Sequence, residues 1–241
     1  MNLILLREGE RAHGDTFRID GDRAAHVSKV LRAKEGDSLV VGLLDGPLGK
    51  GRVMAITEGS VTLACTFDAT VRPRASFDVA LAVPRPKMLR RILFAAAEIG
   101  VDRLVLFRTW RVEQAYLSSP ALEPDACLPH LVQGLMQGRS TRLPLVTFVP
   151  TFRAFLDEAL PSLKVPRFVL HPTDAPLLRS DGEGHGTLVL GPEGGFIPRE
   201  VESLNARGCL PRTLGPRILR VETAFVYALA ALGSVEHQSA R

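Results

Sequence analysis

A glycine-rich turn that follows a buried strand is the feature of this sequence that most limits its possible folds. The apolar run Leu188-Val189-Leu190 predicts the end of a strand, and Gly191-Pro192-Glu193-Gly194-Gly195-Phe196 comes directly after it. Glycine permits positive φ angles and lets a ligand approach the backbone closely, whereas proline fixes φ. Pro198 suits the first position of a following helix and Gly208 suits its end. A strand, a glycine turn and a helix in this order are typical of a ligand site in an α/β sheet.

A second stretch has the same organisation. Taken alone, the first stretch also fits an ordinary strand-to-helix connection. However, Leu214-Gly215-Pro216-Arg217-Ile218-Leu219-Arg220-Val221-Glu222-Thr223-Ala224 again joins a short apolar strand to an apolar helix. Together, GPEGGF and LGPRILRVETA resemble the paired cofactor-loop motifs of the SPOUT RNA methyltransferases, and within them the RsmE family. That family uses S-adenosyl-L-methionine to methylate N3 of a uridine in small-subunit (16S) ribosomal RNA, and the resemblance implies this activity.

Composition sets broad limits on the class of protein. With 241 residues, of which 46% are hydrophobic, the chain can form one large domain or two small ones. A net charge of +4 permits an anionic partner such as RNA without requiring one. The three cysteines are isolated, and neither a disulfide framework nor a zinc-binding spacing is visible. We therefore expect a cytoplasmic protein without a metal, and no apolar run approaches the length of a membrane span.

The residues before about 72 predict a small β-rich domain. Short β-type runs cover 3–6, 38–43, 52–57 and 60–67, and turn residues separate them. One segment, His26–Arg32, predicts a helix with Val27, Val30 and Leu31 on one face. The phrase HVSKVLRAKEGD resembles the PUA-like β-barrel of the RsmE family. The resemblance implies that His26, Lys29 and Arg32 contact RNA, although a solvated helix face fits the same spacing.

From Phe77 onward, strands and helices alternate. Strands are predicted over 77–83 and 103–107, and helices over 84–99 and 128–137. The alternation continues through 145–149, 152–160 and 167–171. This alternation predicts a mainly parallel α/β sheet. The change of pattern places a domain boundary near residue 72, and the resemblance implies that 1–72 is an RNA-binding PUA-like domain and 73–241 the methyltransferase domain. Lys87 and Arg90 lie in the first turns of their helix, where cations oppose the helix dipole, so RNA contact or surface solubility explains them.

The resemblance also implies a particular cofactor site and fold. Members of the family bind S-adenosylmethionine in a bent shape through the loops of a C-terminal trefoil knot. By position, these loops correspond to the end of the strand near 170, the glycine turn and the LGPRILR segment. The implied cofactor-binding residues are Leu170, His171, Leu190, Gly191, Pro192, Gly194, Gly195, Leu214, Gly215, Ile218, Leu219 and Glu222.

The last helix, Val221 to Gly233, is apolar on nearly all sides. A helix without a polar face must be covered on both sides, so we expect a second subunit to cover part of it. The members of the family are homodimers, which agrees with this expectation.

Methylation of N3 of uridine requires removal of the imide proton. An arginine beside the uracil oxygens would stabilise the anion, and Arg220 and Arg139 are the candidates. Structural ion pairs, for example Arg220 with Glu222, are the alternative. Glu193 is the candidate base, because partial desolvation in the glycine turn would strengthen it. Its alternatives are that it only caps a turn, or that solvent takes the proton.

Two positions depart from the family pattern. Ala95 stands where the family usually has a lysine, and Met136 stands where it has a glutamate shortly before an arginine. Both departures concern the RNA side and leave the cofactor loops unchanged. Methylation of another RNA atom, such as a ribose 2′-hydroxyl, and a non-catalytic RNA-binding role therefore remain alternatives.

Overall fold

The computed structural model describes residues 3–74, 76–172, 174–179 and 185–233. The chain forms two compact units. The first contains the residues up to Arg74 together with Val132–Leu143, and the second contains the rest. The sequence predicts one division of the chain, near residue 72. The structure differs from this prediction because residues 132–143 also belong to the first unit.

The first unit contains one six-stranded sheet. Its strands are β1 Ile4–Leu6, β2 Arg11–His13, β3 Thr16–Asp20, β4 Ser38–Leu43, β5 Leu48–Thr57 and β6 Ser60–Phe67. They lie in the order β1-β4-β5-β6-β3-β2. Only the β1–β4 pair is parallel. The buried side chains form one core that includes Phe17, Ile19 and Leu63. The predicted N-terminal β domain is confirmed, although β2 and β3 were not predicted and β5 begins inside the predicted turn.

A network of hydrogen bonds explains why 141–143 joins the first unit. Asp45, in the turn between β4 and β5, donates its backbone N–H to the carbonyl of Thr141 (2.8 Å). The Thr141 hydroxyl donates to the carbonyl of Gly46 (2.6 Å), and Arg142 Nη1 donates to the Asp45 carbonyl (2.8 Å). These bonds join residues almost 100 positions apart. No local sequence pattern predicts such pairs.

The predicted helix around His26 has a different phase from the one expected. A helix α1, Gly21–Ala25, continues as a single π-helical turn over His26–Val30. Val27 is fully buried as expected, but Val30 is 66% exposed and Leu31 is 42% exposed. The prediction that all three share a buried face is wrong, because a π turn bonds i to i+5 and shifts the side chains relative to an α-helix.

The second unit contains an entirely parallel sheet. Its strands are β7 Phe77–Ala82, β8 Arg103–Phe107, β9 Leu145–Val149, β10 Arg167–Leu170, β11 Gly186–Leu190 and β12 Cys209–Arg212. They lie in the order β12-β10-β11-β7-β8-β9. The predicted mainly parallel α/β fold is confirmed. The trefoil knot implied by the resemblance stays a prediction.

Helices connect most of these strands. They are α2 Pro86–Ile99, α3 Gln114–Leu117, α4 Pro124–Gly138, α5 Phe152–Ala154, which continues through a π turn (Phe155–Ala159) into α6 Leu160–Ser162, then α7 Pro198–Asn205 and α8 Val221–Leu232. Pro198 begins α7, as predicted, and Gly208 follows its end with φ of 79°. Within α4, the residues up to Leu131 belong to the second unit and those from Val132 belong to the first.

A buried ion cluster lies near the amino ends of β7 and β8. Asp78 is completely buried, and its carboxylate accepts hydrogen bonds from Arg103 Nη2 (2.5 Å), Lys164 Nζ (2.9 Å) and the backbone N–H of Lys164 (3.0 Å). Burial opposes the charge, but the bonds to Arg103 and Lys164 outweigh it and hold the pKa of Asp78 below its usual range.

The last helix has one buried and one exposed side. Val221, Phe225, Ala228, Leu229 and Leu232 are buried, where α8 packs against α2 and β11. Its other side includes Val226, which is 44% exposed, and Tyr227, which is 54% exposed. Within the second unit, α8 therefore has the exposed apolar side that the sequence predicts.

Candidate active site

The carboxyl ends of three neighbouring strands bring the predicted loops together. Leu170 at the end of β10 lies opposite Leu190 at the end of β11, and opposite Arg212 at the end of β12. The segments that follow these strands therefore begin side by side at one edge of the sheet. Ligands bind at this edge in open parallel α/β sheets.

A cavity of about 390 Å³ lies at this edge. It is lined by Arg111, Leu170, His171, Pro172, Leu190, Gly191, Pro192, Glu193, Gly194, Gly195, Phe196, Thr213, Leu214, Gly215, Arg217, Ile218, Leu219, Val221 and Ala224. All the predicted cofactor-binding residues except Glu222 are in this lining. The volume lies in the range of roughly 300–1,000 Å³ that small-molecule sites occupy.

The shape of the glycine turn depends on three glycines with different roles. Gly195 has φ of 70°, a conformation that side chains disfavour. A β-carbon at Gly191 would lie 3.1 Å from the ring of Phe196, which is buried below the turn. A β-carbon at Gly194 would lie 3.2 Å from Cδ of Arg111. The lack of a side chain at Gly191 and Gly194 therefore leaves room for Phe196 and Arg111.

Arg111 connects the glycine turn to the segment after β8. Its Nη1 donates a hydrogen bond of 2.5 Å to the carbonyl oxygen of Gly194. Arg111 also lines the cavity and is an exposed residue. It therefore supports the turn and brings a positive charge to the site.

His171 brings an uncharged ring to the same cavity. Burial lowers the pKa of His171, and the nearby Arg111 cation lowers it further. The imidazole therefore stays neutral at neutral pH. A neutral ring is compatible with a positively charged ligand, whereas an imidazolium would repel it.

Comparison with known protein families agrees with this geometry. A sequence model of the RNA methyltransferase domain family matches residues 72–233. The chain belongs to this family. The family resemblance predicted from GPEGGF and LGPRILRVETA is confirmed.

Several curated relatives are similar to this RNA methyltransferase over nearly their whole length. The protein named ribosomal RNA small subunit methyltransferase E 1 from Borreliella burgdorferi is 25% identical over 95% of each chain. The ribosomal RNA small subunit methyltransferase E from Treponema pallidum is 27% identical and covers 98% of this chain and 92% of its own.

Solved structures show the same fold. A Legionella pneumophila protein described as a methyltransferase in complex with SAM has a TM-score of 0.77, with 22% identity and 97% of each chain covered. The ribosomal RNA small subunit methyltransferase E from Neisseria gonorrhoeae, bound to S-adenosyl methionine, has a TM-score of 0.75, with 19% identity and 97% coverage of each chain.

Glu193 has a structural partner in this methyltransferase. Its Oε1 accepts a hydrogen bond of 3.0 Å from the backbone N–H of Arg85, the residue that precedes α2. Glu193 is exposed, so the partial desolvation predicted for it is absent. This contact favours a capping role, although it caps α2 and not the turn that follows Glu193. Kinetics of a Glu193→Gln variant would test whether Glu193 also acts as the base.

The two predicted catalytic arginines lie outside the cavity lining. Arg220 is exposed at the residue that precedes α8, and no ion pair joins it to Glu222 in the part of the chain that the structure describes. Arg217, three positions earlier, does line the cavity. Arg139 is exposed with φ of 51° and belongs to the first unit, whereas the nearby Met136 is buried.

The predicted RNA-contacting residues lie in both units. Lys29 and Arg32 are exposed in the first unit, and Lys87 and Arg90 are exposed on α2 of the second. His26 is only partly exposed, and burial lowers its pKa. Its Nε2 atom is buried and makes no hydrogen bond to any described residue.

Arg111 and Arg217 line the cavity but are not among the predicted site residues. A signal for Arg111 existed, because it follows the predicted strand 103–107 and the carboxyl ends of parallel strands meet at one edge. Arg217 and the predicted Arg220 both stand inside the LGPRILR motif. Loop conformation decides which of two nearby arginines faces a cavity, and sequence spacing does not reveal it.

The described residues contain neither a metal site nor a membrane-spanning helix. No cluster of three or more His, Cys, Asp or Glu side chains is arranged to hold a metal ion in the described ranges. All three cysteines are free and buried. Among the helices that the structure describes, none has the length and hydropathy needed to cross a membrane.

Proposed function

We propose that this chain uses S-adenosyl-L-methionine to methylate N3 of a uridine in small-subunit (16S) ribosomal RNA. The observation that carries the proposal is the cavity at the ends of β10, β11 and β12 in a chain of the RNA methyltransferase domain family. Two curated relatives with nearly full coverage are named ribosomal RNA small subunit methyltransferase E, which supports the substrate.

The residues around the cavity fit S-adenosylmethionine. Leu190, Leu214 and Leu219 offer an apolar surface for the adenine ring, and the glycine-containing loops offer backbone groups for its polar edge. Arg111 and Arg217 offer positive charge for the carboxylate of the methionine part. The neutral ring of His171 avoids repulsion of the sulfonium.

The cofactor would supply an electrophilic methyl group, and the chain would supply orientation. Correct alignment of two reactants can contribute several kcal/mol toward lowering a barrier. The bond from Arg111 to Gly194 and the packing of Phe196 against Gly191 hold the turn in one conformation. A turn held in this way keeps the site in the geometry that transfer requires.

The acceptor nitrogen must lose a proton before or during transfer. If the pKa of the imide lies about two units above the ambient pH, deprotonation costs ~2.7 kcal/mol. A cation beside the uracil oxygens lowers this cost. Arg220 remains our candidate for that role, together with Arg217 in the same loop, and Arg139 is a candidate from the first unit.

RNA affinity would come from both units of the chain. Phosphate contacts with lysine and arginine supply most of the affinity in many protein–nucleic acid complexes. The candidates are His26, Lys29, Arg32, Lys87 and Arg90. The partner is therefore the 16S ribosomal RNA, either free or within the small ribosomal subunit, and the expected location is the cytoplasm.

We further propose that the chain acts as a homodimer. The apolar residues Val226 and Tyr227 on α8 are exposed in the isolated chain, and a second subunit would cover them. Exposed apolar patches of this kind are typical of interfaces.

The decisive experiment is transfer of a labelled methyl group, followed by mass spectrometry of the nucleosides. Purified chain is incubated with isotopically labelled S-adenosylmethionine and with either small ribosomal subunits or protein-free 16S ribosomal RNA. We expect labelled N3-methyluridine, and the two substrates show which form is preferred. A label on the ribose would instead support 2′-hydroxyl methylation, and absence of label in both RNAs would support the non-catalytic alternative.

A further inference from the structure

Trp110 is the only tryptophan in the chain, and it is 80% exposed. Tryptophan usually buries most of its large apolar surface, so a side chain this exposed is uncommon in a folded protein. The neighbouring residues Thr109 and Val112 are both buried. The indole therefore projects from a segment whose flanking residues are fixed in the fold.

The backbone of Trp110 is also held in place. Its N–H donates a hydrogen bond of 2.8 Å to Oε1 of Glu200, and the second oxygen of Glu200 accepts one of 3.0 Å from the N–H of Ile197. Glu200 is only 5% exposed. This buried carboxylate links Trp110 to the beginning of α7, which directly follows the glycine turn. The position of the indole is therefore coupled to the loop that forms the cofactor cavity.

The residues next to Trp110 in the sequence carry positive charge. Arg108 and Arg111 stand on either side of it, and both are exposed. Arg111 also lines the cavity. Arg85 is exposed at the end of the neighbouring β7 segment, where its N–H bonds to Glu193. An acidic residue, Glu113, is also exposed here and accepts a hydrogen bond from the Tyr116 hydroxyl (2.6 Å).

We propose that Trp110 stacks on an unpaired base of the substrate RNA beside the cofactor cavity, while Arg108 contacts a phosphate. This inference rests on the proposed function and assigns a positioning residue to it. Exposed aromatic side chains with nearby cations are the usual device for binding single-stranded RNA, because every base has a stacking face. The stacked base would fix the strand on which the reacting uridine enters the site.

A second copy of the chain is a less suitable partner for this surface. In a two-fold interface the same patch meets itself. Contact through Trp110 would then bring Arg108 and Arg111 of both copies together, and like charges would oppose association. RNA has the complementary charge. The exposed side of α8, with Val226 and Tyr227, lacks this conflict and is the surface that we assign to the partner subunit.

The single tryptophan provides a direct test that does not depend on turnover. The intact protein is saturated with S-adenosylhomocysteine, and 16S ribosomal RNA is then added while the tryptophan fluorescence is followed. We expect strong quenching by the stacked base and protection of the indole from a soluble quencher such as acrylamide. Filter retention confirms under the same conditions that the RNA is bound. If the RNA is bound and neither the fluorescence nor the access of acrylamide changes, the inference is overturned.

Variants test the same contact through kinetics. Trp110→Ala should raise the KM for RNA by roughly 5- to 150-fold, which is the range that loss of one stacked base produces. Trp110→Phe should lie between that variant and the wild type, because it keeps a smaller stacking face. The affinity for S-adenosylmethionine should not change. Leu145→Ala is the matched control, since Leu145 is 57% exposed on β9 of the same unit and should have no effect.

The outcomes separate this inference from the proposed function. If the wild type methylates 16S ribosomal RNA and Trp110→Ala has an unchanged KM, the inference fails and the proposed function stands. If the wild type methylates no ribosomal RNA, the proposed function fails, and fluorescence quenching still decides whether Trp110 contacts RNA. A Trp110→Ala variant that becomes monomeric would assign the residue to the subunit interface and overturn the inference.

Discussion

Arg111 Nη1 donates a hydrogen bond of 2.5 Å to the carbonyl oxygen of Gly194, and so connects the segment after β8 to the glycine turn after β11. The two residues are 83 positions apart in the chain. The contact also explains the glycine, because a β-carbon at position 194 would press against Arg111. One arginine therefore determines both the shape of the turn and part of the charge around the cavity.

Arg111→Ala should weaken the binding of S-adenosylmethionine. The variant loses the bond to Gly194 and a positive charge in the cavity lining. A hydrogen bond from a charged group contributes about 1.5–3 kcal/mol, so we expect a loss of affinity of at least roughly tenfold. Isothermal titration calorimetry measures it. Arg108→Ala is the control, because Arg108 is exposed nearby but lies outside the cavity lining, and equal effects of both variants would contradict the assignment.

Gly194→Val should weaken cofactor binding mainly through Arg111. The added side chain would meet Arg111 Cδ, starting with a contact of 3.2 Å at the β-carbon. In an Arg111→Ala background the same substitution should therefore cost much less, and the double-mutant cycle should show coupling of at least about 0.5 kcal/mol. Calorimetry on the four proteins measures this coupling. Strictly additive effects would mean that Gly194 faces the ligand and not the arginine.

The parallel sheet and the position of the cavity could be predicted from the sequence. Strand–helix alternation after Phe77 indicates a parallel sheet, and parallel sheets place their loops at one edge. The two glycine-bearing motifs both follow strands, so both had to lie at that edge. Local pattern and general topology are sufficient for this part, because neither depends on which distant side chains meet.

Contacts between distant residues could not be predicted in the same way. The hydrogen bonds between Asp45 and the residues Thr141 and Arg142 attach a segment of the second half of the sequence to the first unit. The hydrogen bond that the Arg85 N–H donates to Glu193 gives this carboxylate a partner at the start of α2, 108 positions away in the chain. Sequence periodicity also failed at His26–Val30, because a single π-helical turn changes which residues face the core.

Glu193→Gln should keep both cofactor binding and most of the methyl transfer. The amide oxygen of glutamine can accept the same bond from Arg85, so the cap on α2 survives. Loss of a general base would reduce the rate by roughly 10²–10⁴-fold. We expect a much smaller difference between variant and wild type in the single-turnover rate with 16S ribosomal RNA, measured over about three pH units around neutrality. Glu193→Ala removes the acceptor and should lower the melting temperature. A large rate loss in Glu193→Gln with an unchanged melting temperature would instead assign Glu193 as the base.

Tyr227→Asp should convert the proposed dimer to a monomer. Tyr227 is 54% exposed on α8, and a buried charge at an interface is costly. Light scattering should give about twice the chain mass of 26.2 kDa for the wild type and about one chain mass for the variant. Ile99→Asp serves as the control, since Ile99 is 39% exposed on a different helix and should leave the mass unchanged. A wild-type protein that is monomeric at micromolar concentration would refute the proposed dimer.

Asp78→Asn should destabilise the protein at neutral pH and change its response to acid. The variant leaves Lys164 and Arg103 without their buried carboxylate, which we expect to cost about 3 kcal/mol in the free energy of unfolding. Because the folded pKa of Asp78 lies below the unfolded value of about 4, its contribution is present above that pH and disappears as the pH falls through the folded pKa. Urea unfolding of wild type and variant should therefore differ most at pH 7 and converge in acid.

Asp157→Asn is the control, because Asp157 pairs with Arg207 on the surface (2.8 Å), and surface pairs contribute little. A constant difference between wild type and Asp78→Asn at all pH values would show that the variant acts through packing and not through the charge of Asp78.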